Sequence, residues 1–267
     1  MKFKNDIVAT YLSLAPIALA LERIVECDLY PDCKLEHPIL DIGCGEGLFA
    51  HVLFAEKIDT GIDPNAKELD RARQLGGYEE LIQCTGDKIP KPKDSYRTII
   101  SNSVLEHIPL LEPVLREAYR VLAPGGFFYF TVPSEKFEQY TVVSQILQFL
   151  KLSSFEKLWR RFFNRFWAHY HYYTPEGWAD LGRSAGFEVF DTFTYNPKRV
   201  CLINTVLTPV GMPAMIIKKL TNRWILFPGL RRILLYPIRS WVSKIAKGAG
   251  KCDAGGLVFV ALRKPGK

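Results

Sequence analysis

A glycine-rich turn constrains the fold of this chain more than any other feature. Residues 38–47 read PILDIGCGEG, and Asp63 follows 20 residues after the first glycine. The apolar run before the glycines predicts a buried parallel strand, and residues 48–56 after them predict a helix. A second apolar stretch at residues 58–62 predicts another strand, which ends at Asp63. Glycines allow a close approach between backbone and ligand, and a carboxylate at such a strand end suits the hydroxyls of a ribose.

The spacing of the glycines distinguishes between kinds of nucleotide site. A dinucleotide-binding fold shows G-x-G-x-x-G, with the pyrophosphate at a helix N-terminus. Here the pattern is G-x-G-x-G, and it is preceded by Asp41, which would repel a pyrophosphate and attract a cationic ligand. No phosphate-binding lysine follows, so a P-loop is excluded. Taken alone, the turn also fits an ordinary βαβ connection whose glycines serve packing.

Further motifs follow the turn in a characteristic order. Residues 61–65 read GIDPN, residues 85–87 read TGD, and residues 96–102 predict a strand with a polar end. Residues 115–133, LREAYRVLAPGGFFYFTVP, combine a helix end, a Pro-Gly-Gly turn and an apolar strand. With these motifs the chain resembles the S-adenosylmethionine-dependent methyltransferases of Rossmann-like fold, in particular their small-molecule and quinone-type branch.

This resemblance covers residues 38–133 and 171–195, and more weakly residues 256–263. It implies S-adenosylmethionine as the cofactor, with Asp63 on the ribose and Asp87 near the adenine amino group. Two loop glycines and the polar end of the fourth strand would hold the methionine end. The cofactor-binding residues that the resemblance implies are Asp41, Gly43, Gly45, Asp63, Asp87 and Asn102.

Alternating strand and helix signals predict an α/β fold. With the resemblance, they predict a doubly wound, seven-stranded, mostly parallel sheet in a single domain spanning residues 1–267. Two segments exceed the minimal fold: a helical insert at residues 134–170, and a basic and apolar insert at residues 196–254, before the last strand. The six cysteines contain no C-x-x-C pair, so neither a zinc site nor a redox motif is indicated.

The insert at residues 134–170 falls between the fifth strand and the next helix. This position lies above the carboxyl edge of the sheet, where open α/β sheets bind ligands. Residues 157–167 read KLWRRFFNRFW, a basic and aromatic stretch. We predict a helical cap over the substrate cavity. An amphipathic helix packed on the core, with its arginines in solvent, fits the same pattern.

The insert at residues 196–254 is strongly basic. Residues 198–251 contain eleven Lys or Arg and no Asp or Glu, whereas the whole chain has a net charge of +7. The rest of the chain is therefore acidic overall. Cations interleaved with tryptophans and apolar stripes are typical of a membrane interface, where each adds about 1 kcal/mol near an anionic surface. We predict that residues 198–251 contact an anionic membrane surface. A soluble lid or a dimer arm is the alternative, and the oligomeric state is not indicated.

A nucleic-acid partner fits less well, although a basic patch is its first requirement. Methyltransferases that modify exocyclic amino groups of bases carry a D/N-P-P-Y/F motif after the fourth strand. At the corresponding position, residues 101–104 of this chain read SNSV, which does not match that motif. Methyltransferases that modify a carbon atom of cytosine use the cysteine of a Pro-Cys pair as nucleophile. At the corresponding strand end, residues 133–134 of this chain read PS, so this cysteine is absent. The bulky apolar side chains of residues 200–245 also favour lipid over a phosphate backbone.

Residues 200–217 carry no charge, but they include two prolines, a glycine and an asparagine. A spanning helix needs roughly 20 apolar residues, and a single span would separate the last strand from its sheet. We therefore expect a shallow or re-entrant hairpin. The N-terminus does not resemble a signal peptide, so we expect a cytoplasmic protein that is peripheral at the cytoplasmic face of the membrane.

His107 is the candidate catalytic residue, because it closely follows the fourth strand. A sulfonium methyl is already activated, so an enzyme must mainly align the acceptor with it. For an oxygen acceptor, a histidine can act as general base near neutral pH. A structural histidine is the alternative. Glu106 and His107 are too few ligands to predict a metal site.

These observations predict methyl transfer to a hydroxyl or an activated carbon of a lipid-soluble acceptor, such as a quinone, isoprenoid or glycolipid. A soluble small-molecule methyltransferase, with the insert as a lid or dimer arm, is one alternative. A membrane-bound binding protein that keeps the fold without catalysis is another.

Overall fold

A computed structural model describes residues 1–266 as one seven-stranded sheet with helices on both faces. The strands are β1 (Ile39–Ile42), β2 (Ile58–Asp63), β3 (Tyr78–Gln83), β4 (Tyr96–Asn102), β5 (Leu122–Pro133), β6 (Glu188–Pro197) and β7 (Gly255–Arg263). The helices are α1 (Ile7–Leu14), α2 (Ile17–Cys27), α3 (Leu48–Leu53), α4 (Ala66–Leu75), α5 (Leu111–Val121), α6 (Val142–Phe149), α7 (Ser153–Phe166), α8 (Pro175–Ser184), α9 (Lys198–Thr221), α10 (Pro228–Leu234) and α11 (Arg239–Lys247). Short 3-10 helices occur at Leu105–His107, Glu138–Tyr140 and Tyr236–Ile238.

The strand order is β3-β2-β1-β4-β5-β7-β6. Strands β1 to β5 are parallel, and β7 runs antiparallel between β5 and β6. The predicted doubly wound, mostly parallel sheet is therefore confirmed. The order reverses between β1 and β4, and a ligand crevice forms at such a switch point. The turn after β1 and the polar end of β4 meet there, where the Ser101 hydroxyl donates to the Ile42 carbonyl at 2.9 Å.

Two apolar layers cover the faces of the sheet. One layer includes Tyr11 of α1 and Leu21 of α2, and the other includes Leu115 of α5 and Trp178 of α8. The buried Trp178 indole N–H donates to the carbonyl of Pro133 at 3.0 Å, so this bulky side chain leaves no polar atom unpaired. The inner strands β1 and β7 are buried along almost their whole length, which explains why their sequences read as nearly continuous apolar runs, whereas the edge strands β3 and β6 are partly exposed.

Both inserts contain helices. The insert at residues 134–170, predicted as a helical cap, contains α6 and α7, which pack against each other and carry exposed aromatic side chains, among them Phe149, Phe155 and Phe162. Its role as a cap over the substrate cavity stays a prediction. The backbone N–H of Tyr170 donates to the Glu106 carbonyl at 2.8 Å. This bond joins the end of the cap to the loop after β4, at the carboxyl edge of the sheet.

The expected hairpin at residues 200–217 is wrong, because these residues lie within one continuous helix, α9. Two prolines, Pro209 and Pro213, lie inside it, although an interior proline costs about 3 kcal/mol. Packing on α2 supports the helix, and the Asn204 amide donates to Glu22 of α2 at 3.2 Å. Tertiary packing here overrides the local preference. Within residues 1–266, α9 alone has the length and apolar composition to cross a bilayer, and 17% of its most apolar window is buried.

Candidate functional site

A cavity of about 470 Å³ opens at the carboxyl edge of the sheet, between the turn after β1 and the end of β4. Its walls come from α1, α2, the glycine turn, the loop after β4 and the C-terminal part of α9. The predicted site residues that line it are Asp41, Gly43, Gly45, Asn102 and His107. The fold thus brings five sequence-predicted residues to one cavity.

The glycine turn requires glycine at two positions of the cavity wall. Gly43 has a φ of +75° and Gly45 a φ of +51°, a region that other residues rarely adopt. A Cβ on Gly43 would also lie 2.3 Å from Cγ1 of Val104. The Gly45 N–H donates to Oδ2 of Asp63 at 3.0 Å, so the turn is tied to the end of β2.

The two remaining predicted carboxylates lie outside the cavity wall. Asp63 is half-buried beside it and also accepts a bond from the Asn65 N–H, at 2.8 Å. Burial raises the pKa of Asp63 above its usual range, although the two hydrogen bonds from the backbone N–H groups of Asn65 and Gly45 act to lower it. Asp87 is partly exposed, and a hydrogen bond from Thr85 lowers its pKa. Their proposed contacts with ribose and adenine remain predictions.

Asp41 lines the cavity, but its carboxylate is buried. The Tyr78 hydroxyl donates to its Oδ2 at 2.6 Å. Burial raises the pKa of Asp41 to about 7, with this hydrogen bond acting in the opposite direction. The raised pKa favours the neutral form, which weakens the attraction for a cation that the sequence position of Asp41 predicts.

Helix α2 adds a polar network that the sequence interpretation missed. Arg23, which lines the cavity, donates to Glu26 at 2.5 Å and to the Ser103 hydroxyl at 2.7 Å. Asn102 donates from Nδ2 to the same Glu26 oxygen at 2.5 Å. Glu26 is fully buried, so these charge-assisted bonds hold the Asn102 side chain in one orientation. The available signal was the pattern LERIVE, which places three charged residues in an apolar helix.

The basic insert forms another wall of the cavity, through Lys218 and Trp224. The Lys218 ammonium lies 3.3 Å from Glu46 in the glycine turn and 3.2 Å from Glu68 of α4. It also lies 4.6 Å from the centroid of the Trp224 ring, within reach of a cation–π contact. The Trp224 indole N–H donates to Glu46. The C-terminal end of α9 is thus attached to the glycine turn.

His107 lies at the cavity edge beside the cap. Its Nδ1 is 3.2 Å from the Ala168 carbonyl, to which the Nδ1–H donates, so Nε2 of the neutral ring is left as an acceptor. Burial lowers the pKa of His107 below its usual 6.5, so the ring is neutral at pH 7. The His169 ring, at the end of the cap, lies 5.2 Å from that of His107 between centroids.

Glu106, His107 and His169 are the residues of this site that could hold a metal ion. One ligand atom from each lies within 4.8 Å of the others. Burial raises the pKa of Glu106 to about 8, and burial together with His107 lowers that of His169 to about 4. Glu106 Oε2 and His169 Nδ1 have no hydrogen-bond partner among residues 1–266. The fold thus adds His169 to the two ligands recognised in the sequence.

Comparison with known proteins decides the family. The profile of a family described as Methyltransferase domain matches residues 17–192, well over half of the chain. The chain belongs to this methyltransferase family. The match begins at the start of α2 and ends within β6, so it includes every sequence-predicted site residue, whereas the whole of the basic insert lies beyond it.

Individual relatives match shorter segments. A ubiquinone biosynthesis O-methyltransferase of Vibrio atlanticus is 29% identical over 108 residues, which cover 38% of this chain and 46% of that protein. The sterol 24-C-methyltransferase erg-4 of Neurospora crassa is 32% identical over 103 residues, which cover 36% of this chain and 27% of that protein. The chain thus spans less than half the length of these curated relatives.

A solved structure agrees over most of the fold. A SAM-dependent methyltransferase from Thermotoga maritima, described as a possible histamine N-methyltransferase, superposes with a TM-score of 0.58 at 18% identity. The superposition covers 92% of this chain and 91% of that one. At this identity the similarity shows the fold alone, and the sheet and its flanking helices are shared.

The chemistry of the cavity of this methyltransferase domain fits S-adenosylmethionine, the cofactor of the family. The cofactor carries an ammonium, a carboxylate, a sulfonium and a ribose, and the cavity offers both charge types through Asp41, Glu46 and Arg23. Asn102 and the glycine backbone add neutral polar groups. Tyr11 also lines the cavity, and its buried hydroxyl interacts with the thiol of Cys27.

Proposed function

We propose that this chain transfers the methyl group of S-adenosylmethionine to an oxygen or activated carbon of a lipid-soluble acceptor while it is docked on an anionic membrane surface. One observation carries the proposal. The insert whose Lys218 and Trp224 form a wall of the cofactor cavity also presents cations and large apolar side chains to solvent. A membrane contact through this insert would place the cavity close to the source of an apolar acceptor.

The bound cofactor supplies an electrophilic methyl group, so the chain itself must bind, orient and remove a proton. Asp63 is proposed to hold the ribose, while Arg23 and Asn102 hold the methionine end. For a hydroxyl acceptor, Nε2 of His107 would take the hydroxyl proton while the methyl group passes to the oxygen from the sulfonium sulfur, which leaves as a neutral thioether. The lowered pKa of His107 keeps this nitrogen unprotonated at pH 7.

An apolar acceptor is supported by both inserts and by the relatives. The cap exposes Phe149 and Phe155, and the basic insert exposes Leu220, Phe227 and Ile233. Contiguous exposed apolar side chains of this kind mark interaction surfaces. The two relatives are named for ubiquinone biosynthesis and for a sterol, which are lipid-soluble compounds.

The position of α9 favours peripheral docking over a membrane span. Its first turn is anchored by the buried Val200 and Cys201, and its last turn by the Lys218 contacts with Glu46 and Glu68. Both ends of the helix therefore contact the same domain. We propose that α9 lies along the domain at the cytoplasmic face of the membrane, with its exposed side towards lipid.

A soluble methyltransferase whose insert acts as a lid is the second candidate. It is supported by the same contacts, because Lys218 and Trp224 close the cofactor cavity without any membrane. The two candidates differ in what the exposed half of the insert contacts. They also differ in which acceptors are turned over.

Two measurements on the purified protein test the proposal. We expect co-sedimentation with anionic vesicles that weakens with salt, and methyl transfer from labelled cofactor to polyprenylated phenols in those vesicles. Co-sedimentation failure together with turnover of soluble phenols supports the lid. Cofactor binding without turnover of either acceptor class supports a non-catalytic binding protein.

The role of His107 is tested with His107→Gln. We expect kcat for a phenol acceptor to fall by about 100-fold, in the range typical of a lost general base, with little change in KM. The wild-type rate should also fall as the pH drops below the lowered pKa of His107. His51→Gln is the control, since His51 bonds to the Leu75 carbonyl away from the cavity. A chelator that abolishes transfer would instead assign His107 to a metal site with Glu106 and His169.

A further inference from the structure

A second cavity, of about 330 Å³, lies entirely within the basic insert. It is a groove between the first turns of α9 and the helix α11. Arg199, Val200 and Ile203 form one wall, and Trp241, Lys244 and Ile245 form the other. Each set contains residues three and four positions apart, a spacing that places side chains on one helix face. The groove is therefore apolar at its base and has one cation on each side.

The two cations of this groove lack protein partners. Within residues 1–266, neither Arg199 nor Lys244 forms an ion pair or a hydrogen bond through its side chain. Other cations of the insert are engaged: Lys218 binds Glu46 and Glu68, and Arg232 pairs with Asp6. A Cβ on Gly248 would lie only 2.5 Å from Nη2 of Arg199, so this guanidinium reaches across to the end of α11.

We propose that this groove binds one anionic phospholipid of the bilayer, with an acyl chain on its apolar base and the phosphate between Arg199 and Lys244. Charge complementarity selects the occupant, because among residues 1–266 no carboxylate pairs with either of the two cations, whereas Lys218, Arg232 and Lys251 have such partners. The volume matches the lower end of ligand sites, which suits the upper part of one lipid molecule. This inference rests on the proposed docking of the insert on a membrane.

The surroundings of the groove continue into the exposed apolar surface. Trp241 is 46% exposed at its edge, and Val206, one turn along α9 from Ile203, is 62% exposed. Tryptophan at such an edge suits the boundary between headgroups and acyl chains. A lipid in the groove would therefore remain continuous with the bilayer, and the groove would act as a specific anchor within a broader contact.

A pair of charge-matched variants separates a discrete site from diffuse attraction. Arg199→Gln with Lys244→Gln removes the groove cations, while Lys219→Gln with Arg223→Gln removes two exposed cations at the other end of α9. Binding is measured by co-sedimentation with phosphatidylcholine vesicles, with and without phosphatidylglycerol. Diffuse attraction of about 1 kcal/mol for each cation would weaken binding to the anionic vesicles by up to roughly 30-fold, and equally in both variants. Because direct charge-assisted bonds to the lipid phosphate add to this attraction, the groove variant should bind at least about tenfold more weakly than the control variant.

Equal losses in the two variants would overturn the groove site, because diffuse attraction depends on charge alone. Retained binding in both would also overturn it while leaving membrane docking intact. Absence of vesicle binding by the wild type would instead remove the proposed docking itself. Cofactor titration by calorimetry checks that each variant is folded, since neither pair lines the cofactor cavity.

Fluorescence quenching tests the occupant directly. Trp241 is compared with the variant Trp241→Phe, so that its own signal is obtained by difference. Two vesicle mixtures with the same bromine content are compared: in one the phosphatidylglycerol is brominated, and in the other the phosphatidylcholine is brominated. We expect the mixture with brominated phosphatidylglycerol to quench Trp241 more strongly. Equal quenching by the two mixtures would show contact with bulk lipid and no selection of the anionic lipid.

Discussion

At the carboxyl edge of the sheet, the polar side chains are mostly buried and bonded, whereas the basic insert leaves many cations and large apolar side chains in solvent. Glu26 at the edge accepts bonds from Arg23 and Asn102 and is fully buried. In the insert, Leu220 is 80% exposed and Arg199 has no side-chain partner among residues 1–266. The edge is organised for one small ligand, and the insert for an extended surface.

Because the edge is buried and the insert is exposed, we expect the two regions to respond to substitution in different ways. Removing a partner at the buried edge leaves a desolvated polar group without compensation, which costs about 1–3 kcal/mol for each group. Removing an exposed cation of the insert changes a solvated charge and leaves the fold unaffected. Large effects of single changes on cofactor binding are therefore expected at the edge, and small ones in the exposed part of the insert.

The largest expected effect on cofactor affinity is that of Asp63→Ala. This change removes the proposed ribose acceptor and also the bond from the Gly45 N–H that ties the glycine turn to β2. Bonds to a charged group contribute about 1.5–3 kcal/mol, so the Kd for S-adenosylmethionine should rise by about 100-fold in calorimetric titration.

Asp59→Ala is the control for this change, because Asp59 is on the same strand but at its other end. There it accepts bonds from His37 and the Ile39 N–H. We expect its cofactor affinity to be unchanged. Equal affinity in wild type and Asp63→Ala would show that the cofactor does not use the end of β2.

A smaller effect is expected where the two regions meet, at Lys218→Met. The change keeps much of the side-chain length but leaves Glu46 and Glu68 without their shared cation, and it removes the contact with Trp224. Two unpaired carboxylates at the cavity wall would repel each other and loosen the closure. We expect about a tenfold weaker cofactor affinity, measured by the same titration.

The neighbouring Lys219→Met is the matched control, since Lys219 is exposed and does not line the cavity. The two variants remove the same charge one residue apart. If both shift the affinity by the same amount, the effect is general electrostatics, and the insert is not a functional wall of the site.

The sheet and its glycine turn could be predicted because they depend on short segments. Gly43, Gly45 and Asp63 are recognised by local spacing, and the crevice at the switch point follows from strand order. The strands predicted at residues 58–62 and 96–102 agree closely with β2 and β4 of the structure. Asp41 lines the cavity, but its bond to Tyr78 joins residues that are far apart in sequence and was not predicted.

The rest depends on contacts between distant residues that no local pattern encodes. Lys218 is 172 residues from Glu46, and Arg23 is 80 residues from Ser103. His169 joins His107 only because the cap ends above the loop after β4. The prolines of α9 suggested a turn, yet its packing on α2 maintains a helix. Sequence therefore located the motif-bearing part of the site and missed the walls that α2 and α9 supply.

The last prediction concerns stability and not cofactor affinity: it is a pH-dependent change at the buried edge, in Glu106→Gln. Burial raises the pKa of Glu106 to about 8 from an ordinary value near 4.5. Between these values the folded state holds a proton that the unfolded state has released, so stability falls as the pH rises through this window. Glutamine removes this penalty.

Urea unfolding at pH 5 and pH 8 measures the difference. We expect Glu106→Gln to equal wild type near pH 5 and to exceed it at pH 8 by at least about 1.4 kcal/mol, the equivalent of one pKa unit. Glu112→Gln, an exposed partner of Arg116, should shift stability by less than about 0.5 kcal/mol at both values. A Glu106→Gln variant that is no more stable than wild type at pH 8 would mean that the carboxylate is compensated when charged. At this residue, substitution at the buried edge would then change the stability no more than substitution at the exposed surface does.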